Sequence, residues 1–234
     1  MSAALKLTAG EEALVASYGE KLGELPGNAD TINARDVAIQ MLKQSGLPTR
    51  KVEAWHYTDL RRLLSAIPAD APAPMAEIEA ILPGSEILSV ENGEAARVDE
   101  IDGLHAENIA DALRADVGAY VPEFDGSDDA IGFINAAFVS DGYRLTVPDE
   151  AKVETPIEIQ TRTGSAQAHA AHVVTIGSKA NATFIDRSVS GDATMTSAVT
   201  KVSVKAGAEV NWIVVQEQGA NASHLGKLMF DIAE

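Results

Sequence analysis

The 234-residue chain contains no cysteine. That absence removes disulfide frameworks, thiolate nucleophiles, cysteine zinc sites and cysteine-ligated iron–sulfur clusters from within it, and it favours the cytosol. Basic residues are scarce: 18 Lys and Arg stand against 35 Asp and Glu, for a net charge of −17. A nonspecific electrostatic grip on nucleic acid or anionic lipid is therefore disfavoured, which leaves proteins, or something cationic, as partners. No apolar run approaches the roughly 20 residues of a membrane helix. The start reaches Glu11 and Glu12 before any apolar core of signal-peptide length. These absences predict a soluble cytoplasmic protein without nucleic-acid or membrane partners.

What is present is an ordinary globular mix, 46% hydrophobic and 23% charged, which excludes wholesale disorder, collagen and a coiled-coil rod. The first third reads as helical. Thr8 and Glu11 have capping-box spacing, with Leu14, Tyr18 and Leu22 following on one face. A second helix begins after Asp30 or Asn33, because Ala34, Val37, Ala38, Met41 and Leu42 recur at helical spacing before Gly46 and Pro48. A short third runs from Asp59 to Leu64, capped by Thr58, with Leu60, Leu63 and Leu64 inward.

Pro68, Pro72, Pro74 and Pro83 among alanines resist both helix and central strand and read as a linker. Glu86 to Val98 reads as a hairpin around Asn92-Gly93, a pair that takes the positive φ angles of a tight turn. Leu104 to Leu113 reads as a helix, and Asp128-Asp129 as the start of another through Ala136.

After Arg144 the chain repeats. Val147-Pro-Asp-Glu-Ala151-Lys-Val153, Ile176-Gly-Ser-Lys-Ala180-Asn-Ala182 and Val204-Lys-Ala-Gly-Ala208-Glu-Val210 share one template: an aliphatic, three turn-like residues, alanine, a polar residue and a small aliphatic. β-rich stretches such as Pro156 to Thr161, His172 to Ile176 and Val210 to Val215 lie around it. A solenoid needs such regularity, since each coil stacks equivalent residues on the last. Adding one period to Val204 reaches Ile232, so a fourth copy is expected to begin without being completed, its open end either capped by a partner or continued in a longer protein. The fold class is α+β, an N-terminal helical domain followed by the start of a right-handed parallel β-helix. The expected division is 1–67 helical, 68–84 linker, 85–143 mixed α/β transition and 144–234 β-helix core.

Chemistry is hard to find in this sequence. His169 and His172 are three apart on a strand, which sends their rings to opposite faces and away from a shared metal. His56, His105 and His224 are isolated. Gly219 to Lys227 has phosphate-loop glycines at the wrong spacing, with Leu228 where Ser or Thr would hold magnesium, and reads as a glycine-bounded turn. The acids at Asp99, Glu100 and Asp102, and at Asp125, Asp128 and Asp129, lack a calcium-loop pattern and read as solvated surface. The residues point to no catalytic, cofactor or metal site.

Two blocks are more distinctive. Leu47-Pro-Thr-Arg50-Lys-Val-Glu53-Ala-Trp55-His56-Tyr57-Thr58-Asp-Leu60 resembles the early signature of the SufB/SufD family of iron–sulfur cluster assembly proteins, on its SufD side, with His56 where the family usually has lysine. Ile134-Asn135 through Phe138, Gly142, Val147-Pro148 and Pro156-Ile157-Glu-Ile159 resemble the entry to that family's β-helical core. The resemblance spans the chain but about the first half of a full-length member. It implies a non-catalytic scaffold subunit of the SufB–SufC–SufD complex, with SufB and SufC as partners and the SufC site beyond residue 234. It also implies no cofactor in this chain, the iron–sulfur cluster belonging to the assembled complex. Arg50, Glu53, Trp55, Tyr57, Thr58, Asn135, Gly142, Pro148 and Pro156 are then structural signature residues, with Trp55 and Tyr57 docking the helical part and Arg50 pairing locally with Glu53. The alternative is a β-helix protein that binds or processes carbohydrate, which the 5% aromatic content does little to support.

Overall fold

A computed structural model describes residues 6–68, 73–115, 124–126, 128–164 and 167–233. Pro72 of the proline-rich stretch, the first five residues and Glu234 lie outside them. Helices α1 (Ala9–Lys21), α2 (Ala29–Ser45) and α3 (Leu60–Leu63) precede strands β1 (Glu86–Glu91), β2 (Glu94–Ala95) and β3 (His105–Asn108). Helices α4 (Ile109–Arg114) and α5 (Ala130–Phe138) follow, and then seven strands. These are β4 (Asp141–Val147), β5 (Ile157–Thr163), β6 (Gln167–Ile176), β7 (Asn181–Ser190), β8 (Met195–Val204), β9 (Glu209–Glu217) and β10 (Ser223–Ile232).

The strands alternate between two five-stranded sheets, ordered β2-β1-β5-β7-β9 and β10-β8-β6-β4-β3. Successive coils pair in parallel, which makes a β-solenoid of about three turns. The repeat read from sequence is its register: Val147 sits on Ile176, Ile176 on Val204 and Val204 on Ile232. Within each turn the third residue after that aliphatic takes positive φ, Glu150 at 63°, Lys179 at 57° and Gly207 at 71°. The chain thus doubles back the same way each time.

The stack takes in residues ahead of 144. Strand β1 pairs in parallel with β5, and Asn92 and Gly93, at φ 50° and 84°, make the tight turn into β2. The stretch from 104 to 113, read as one helix, is instead β3 followed by α4. Strand β3 pairs antiparallel with β4 and closes that sheet's first edge, as exposed backbone groups there require. Residues 73–84 lie across the outer face of β1, β5 and β7. Their backbone meets Glu91 through Met75 N–H, Arg162 through Ala76 O, Gln160 through Ile78 O, and Glu158 through Ile81 N–H. This strap lets β5 carry Glu158, Gln160 and Arg162 buried on its outward side, because both carboxylate oxygens of Glu158, the Gln160 amide nitrogen and both terminal nitrogens of Arg162 find partners.

The helices pack on the other sheet. Thr8 and Glu11 form the expected capping box, and the buried Glu11 also accepts from Leu47 N–H and Arg61. Two expectations about inward faces fail. In α2 the buried residues are Thr31, Arg35, Ala38, Ile39 and Leu42, while Val37 is 44% exposed. The face is rotated by Arg35, whose fully buried guanidinium donates to the carbonyls of Pro26, Ala137 and Val139 and so satisfies the C-terminal end of α5. In α3, Asp59 rather than Thr58 accepts the capping bond, from Arg62 N–H, and Leu63 faces solvent.

Candidate functional site

Most signature residues are placed where they hold the architecture together. Asn135, buried on α5, donates from Nδ2 to Ala170 O at 2.8 Å and to Ser197 Oγ at 3.0 Å, which seats the helix on β6 and β8. Gly142 has φ 142°, and a Cβ there would come within 1.8 Å of Ala171 O, so no side chain fits. Pro148 enters the first repeat turn, and Pro156 O accepts Glu86 N–H where β1 joins the stack. Trp55 packs against the helical core and donates from Nε1 to Asp128 O at 3.3 Å. Tyr57 does not dock as expected: it is 91% exposed, touching His56 edge to face. Arg50, Glu53 and Thr58 are exposed, and no ion pair joins Arg50 to Glu53. The local backbone is a single 3₁₀ turn over Glu53–Trp55, whose geometry turns Trp55 inward and leaves those charges to solvent.

The histidines divide as strand alternation requires. His169 faces the helices, its ring stacked on Phe138 at 5.0 Å with Nδ1 2.8 Å from Ser197 Oγ. His172 faces the solenoid interior, stacked on Tyr143, its Nδ1 accepting Tyr143 N–H at 3.2 Å. The Nε2 atoms of both are buried without a partner. Burial pushes His169 down to about 3 and His172 to about 4, so both are neutral near pH 7.

Sequence reasoning missed a polar chamber inside the last coils. Thr161, Asp186, Ser188, Thr200, Gln216, His224 and Gly226 line a cavity of about 160 Å³, with room for several waters. Strand alternation builds it. On β7, Ala182 and Phe184 point into the apolar interior, and Asp186 and Ser188 are the next residues on that face. On the facing sheet, Ala170, Ala198 and Gly226 stack in register and leave the room. His224 Nδ1 lies 2.8 Å from Thr196 Oγ1 and 3.5 Å from Ser188 Oγ. Burial raises the Asp186 carboxyl to about 6 and lowers the His224 imidazole. Thr161 Oγ1 is buried without a partner. The signal was available: counting by twos from Phe184 puts Asp186 inside. His224 was hidden because Gly219 to Lys227 read as a turn, whereas residues from Ser223 onward form β10.

Among the described residues no three His, Cys, Asp or Glu side chains converge as a metal-ligand group, and no helix is long and apolar enough to cross a membrane. The acids read as surface include structural ones: Asp129 caps α5 through Gly132 N–H, and Asp125 and Asp129 both bind Lys227 Nζ.

Two family models match. One, described as SUF system FeS cluster assembly, SufBD core domain, covers residues 158–234. The other, SufBD protein N-terminal region, covers residues 17–67. Together they span more than half of the sequence, in the expected order. The chain belongs to the SufB/SufD family. No curated protein matches it. The SufBD N-terminal match takes in the Arg50 to Tyr57 signature, and the SufBD core match takes in every residue that lines the chamber. The family's setting is SUF iron–sulfur cluster assembly, and on this chain it coincides with a helical unit seated on a β-solenoid.

Proposed function

We propose that this protein is a SufD-type, non-catalytic scaffold subunit that works with SufB and SufC in the cytoplasm, the cluster being cargo of the assembled complex. The observation that carries this reading is the pairing of both SufBD family matches with a chain of 234 residues that has no cysteine. Without a thiolate, these 234 residues hold no side chain to carry sulfur or to hold a cluster in the usual way. Among its signature residues, Asn135 fixes helix α5 to the solenoid, Gly142 lets two coils stack closely and Trp55 ties the helical part to the start of α5, as a platform requires.

The test is affinity capture of the tagged, full-length protein from its native cells. Recovery of SufB and SufC in fixed ratio is expected. Recovery of neither, under conditions where both are expressed, overturns the complex. ATP hydrolysis or sulfur transfer by the purified chain alone overturns the non-catalytic role.

A further inference from the structure

The chamber inside the last coils has the form of a small-ligand site that the assembly reading does not use. Two charged residues line it, Asp186 and Lys227, and among the described residues no group donates a hydrogen bond or ion pair to the Asp186 carboxylate. Thr161, 5% exposed, lines the same cavity with its hydroxyl unpartnered. Lys227, at the rim, is engaged by Asp125 and Asp129. With the lysine already neutralised by two carboxylates, the charge left without a partner is negative, which suits a cation.

The facing wall supplies nitrogen. Ser188 Oγ and His224 Nδ1 are 3.5 Å apart, so the inner faces of β7 and β10 meet at that point. The chain turns back between β7 and β8, and β10 runs parallel to β8. Asp186, two residues before Ser188, therefore faces Gly226, two residues after His224. The imidazole leans that way: a Cβ on Gly226 would lie 3.0 Å from His224 Nε2. Glycine at 226 leaves the space on the Asp186 side open to the ring. At the other ring atom, Thr196 Oγ1 lies 2.8 Å from Nδ1. If Nδ1 carries the proton and donates it there, Nε2 presents its lone pair to the chamber, the arrangement by which an outer hydroxyl orients a ligating histidine.

We infer that the chamber binds one divalent first-row transition ion, held by the Asp186 carboxylate and His224 Nε2 and completed by the hydroxyls of Thr161, Ser188 or Thr200 and by water. The donor set decides the class. An imidazole with oxygens and no thiolate suits Mn²⁺, Fe²⁺, Co²⁺ or Zn²⁺. Cu⁺ wants softer ligands, and Ca²⁺ and Mg²⁺ want oxygen donors alone and gain little from an imidazole. With two strong side-chain ligands the ion is exchangeable and keeps open positions. This inference is independent of whether SufB and SufC bind the chain.

The experiment is Co²⁺ titration of the tag-free full chain by equilibrium dialysis, with visible absorption recorded in parallel. One Co²⁺ per chain is expected, displaced by Zn²⁺ and not by equimolar Ca²⁺ or Mg²⁺. Asp186→Asn and His224→Gln should each weaken binding at least tenfold. A surface triple variant, Asp99→Asn, Glu100→Gln and Asp102→Asn, should leave it unchanged. Asp186→Asn is nearly isosteric, and matched circular dichroism with a cooperative melt no lower than the parent's in EDTA confirms its fold; if His224→Gln does not fold, Asp186→Asn decides alone. No stoichiometric Co²⁺, unchanged affinity in Asp186→Asn, or a loss in the surface variant as large as in Asp186→Asn would each overturn the inference.

Discussion

Phe184 and Ser188 point inward from the same strand, four residues apart, into different surroundings. Around Phe184 the interior is closed and apolar, with Val147, Ile176, Val204, Ile157 and a stacked Trp212 at 5.2 Å. Around Ser188 it holds a carboxylate, hydroxyls, one imidazole and space. The backbone repeat is the same at both ends. One half of each coil therefore holds the stack together, and the other half is free to carry chemistry at a cost in stability. The sharpest test compares the two positions. Phe184→Ala should destabilise by about 3–5 kcal/mol, the usual cost of emptying an aromatic core site. Ser188→Ala should change stability by no more than about 1 kcal/mol. Urea unfolding of both variants measures this, and equal losses would mean the interior is not divided.

Acid should weaken the molecule through the buried histidines. His169 and His172 bind protons near 6.5 when unfolded, but at about 3 and about 4 when folded. Between those values the unfolded state holds more protons, so stability is full above pH 6.5 and falls as pH drops toward 4. His172→Gln should flatten that fall by on the order of 2 kcal/mol, read from urea midpoints at pH 7 and pH 4.5. A slope unchanged in this variant would show that His172 already gains its proton in the fold.

The apolar half of the solenoid was legible because it is periodic. The spacing of Val147, Ile176 and Val204 located the coils, and the turn residues marked where the chain reverses. Thr8 and Glu11 located the first helix because capping is local chemistry. What was not legible depends on partners far along the chain. The inward turn of Arg35 answers carbonyls about a hundred residues away, and no periodicity announces them. Strand β1 looked like half of an isolated hairpin because its second neighbour, β5, comes some 70 residues later. The chamber fell between these cases. Asp186 follows from alternation alone, while His224 required knowing that the coil register extends through β10.

Asp186 should act opposite to the histidines. Its carboxyl titrates at about 6 in the fold and near 3.8 unfolded. The protonated form is favoured by folding, so this group's contribution is full below pH 3.8 and is lost as pH rises through 6. In metal-free buffer, Asp186→Asn should therefore stabilise the protein by about 1–2 kcal/mol at pH 8 and by almost nothing at pH 4. Equal effects at both pH values would mean that the side chain is solvated in the fold.

Thr161→Val tests the smallest piece of the contrast. Its Oγ1 is buried with no protein partner, and its neighbours on that face, Ile157 and Ile159, belong to the apolar half. Thr161 thus stands at the boundary, stacked in register on Ser188. If the hydroxyl is merely desolvated, valine of the same shape removes a penalty and should stabilise by up to about 1 kcal/mol. If the hydroxyl instead binds water or an ion in the chamber, valine removes a partner and the gain should vanish. Measuring Thr161→Val by urea unfolding in EDTA and again with saturating Co²⁺ separates the two. A gain in EDTA that turns into a loss with Co²⁺ places Thr161 among the groups that hold the ion, and a gain of equal size in both assigns it to the wall of the apolar core.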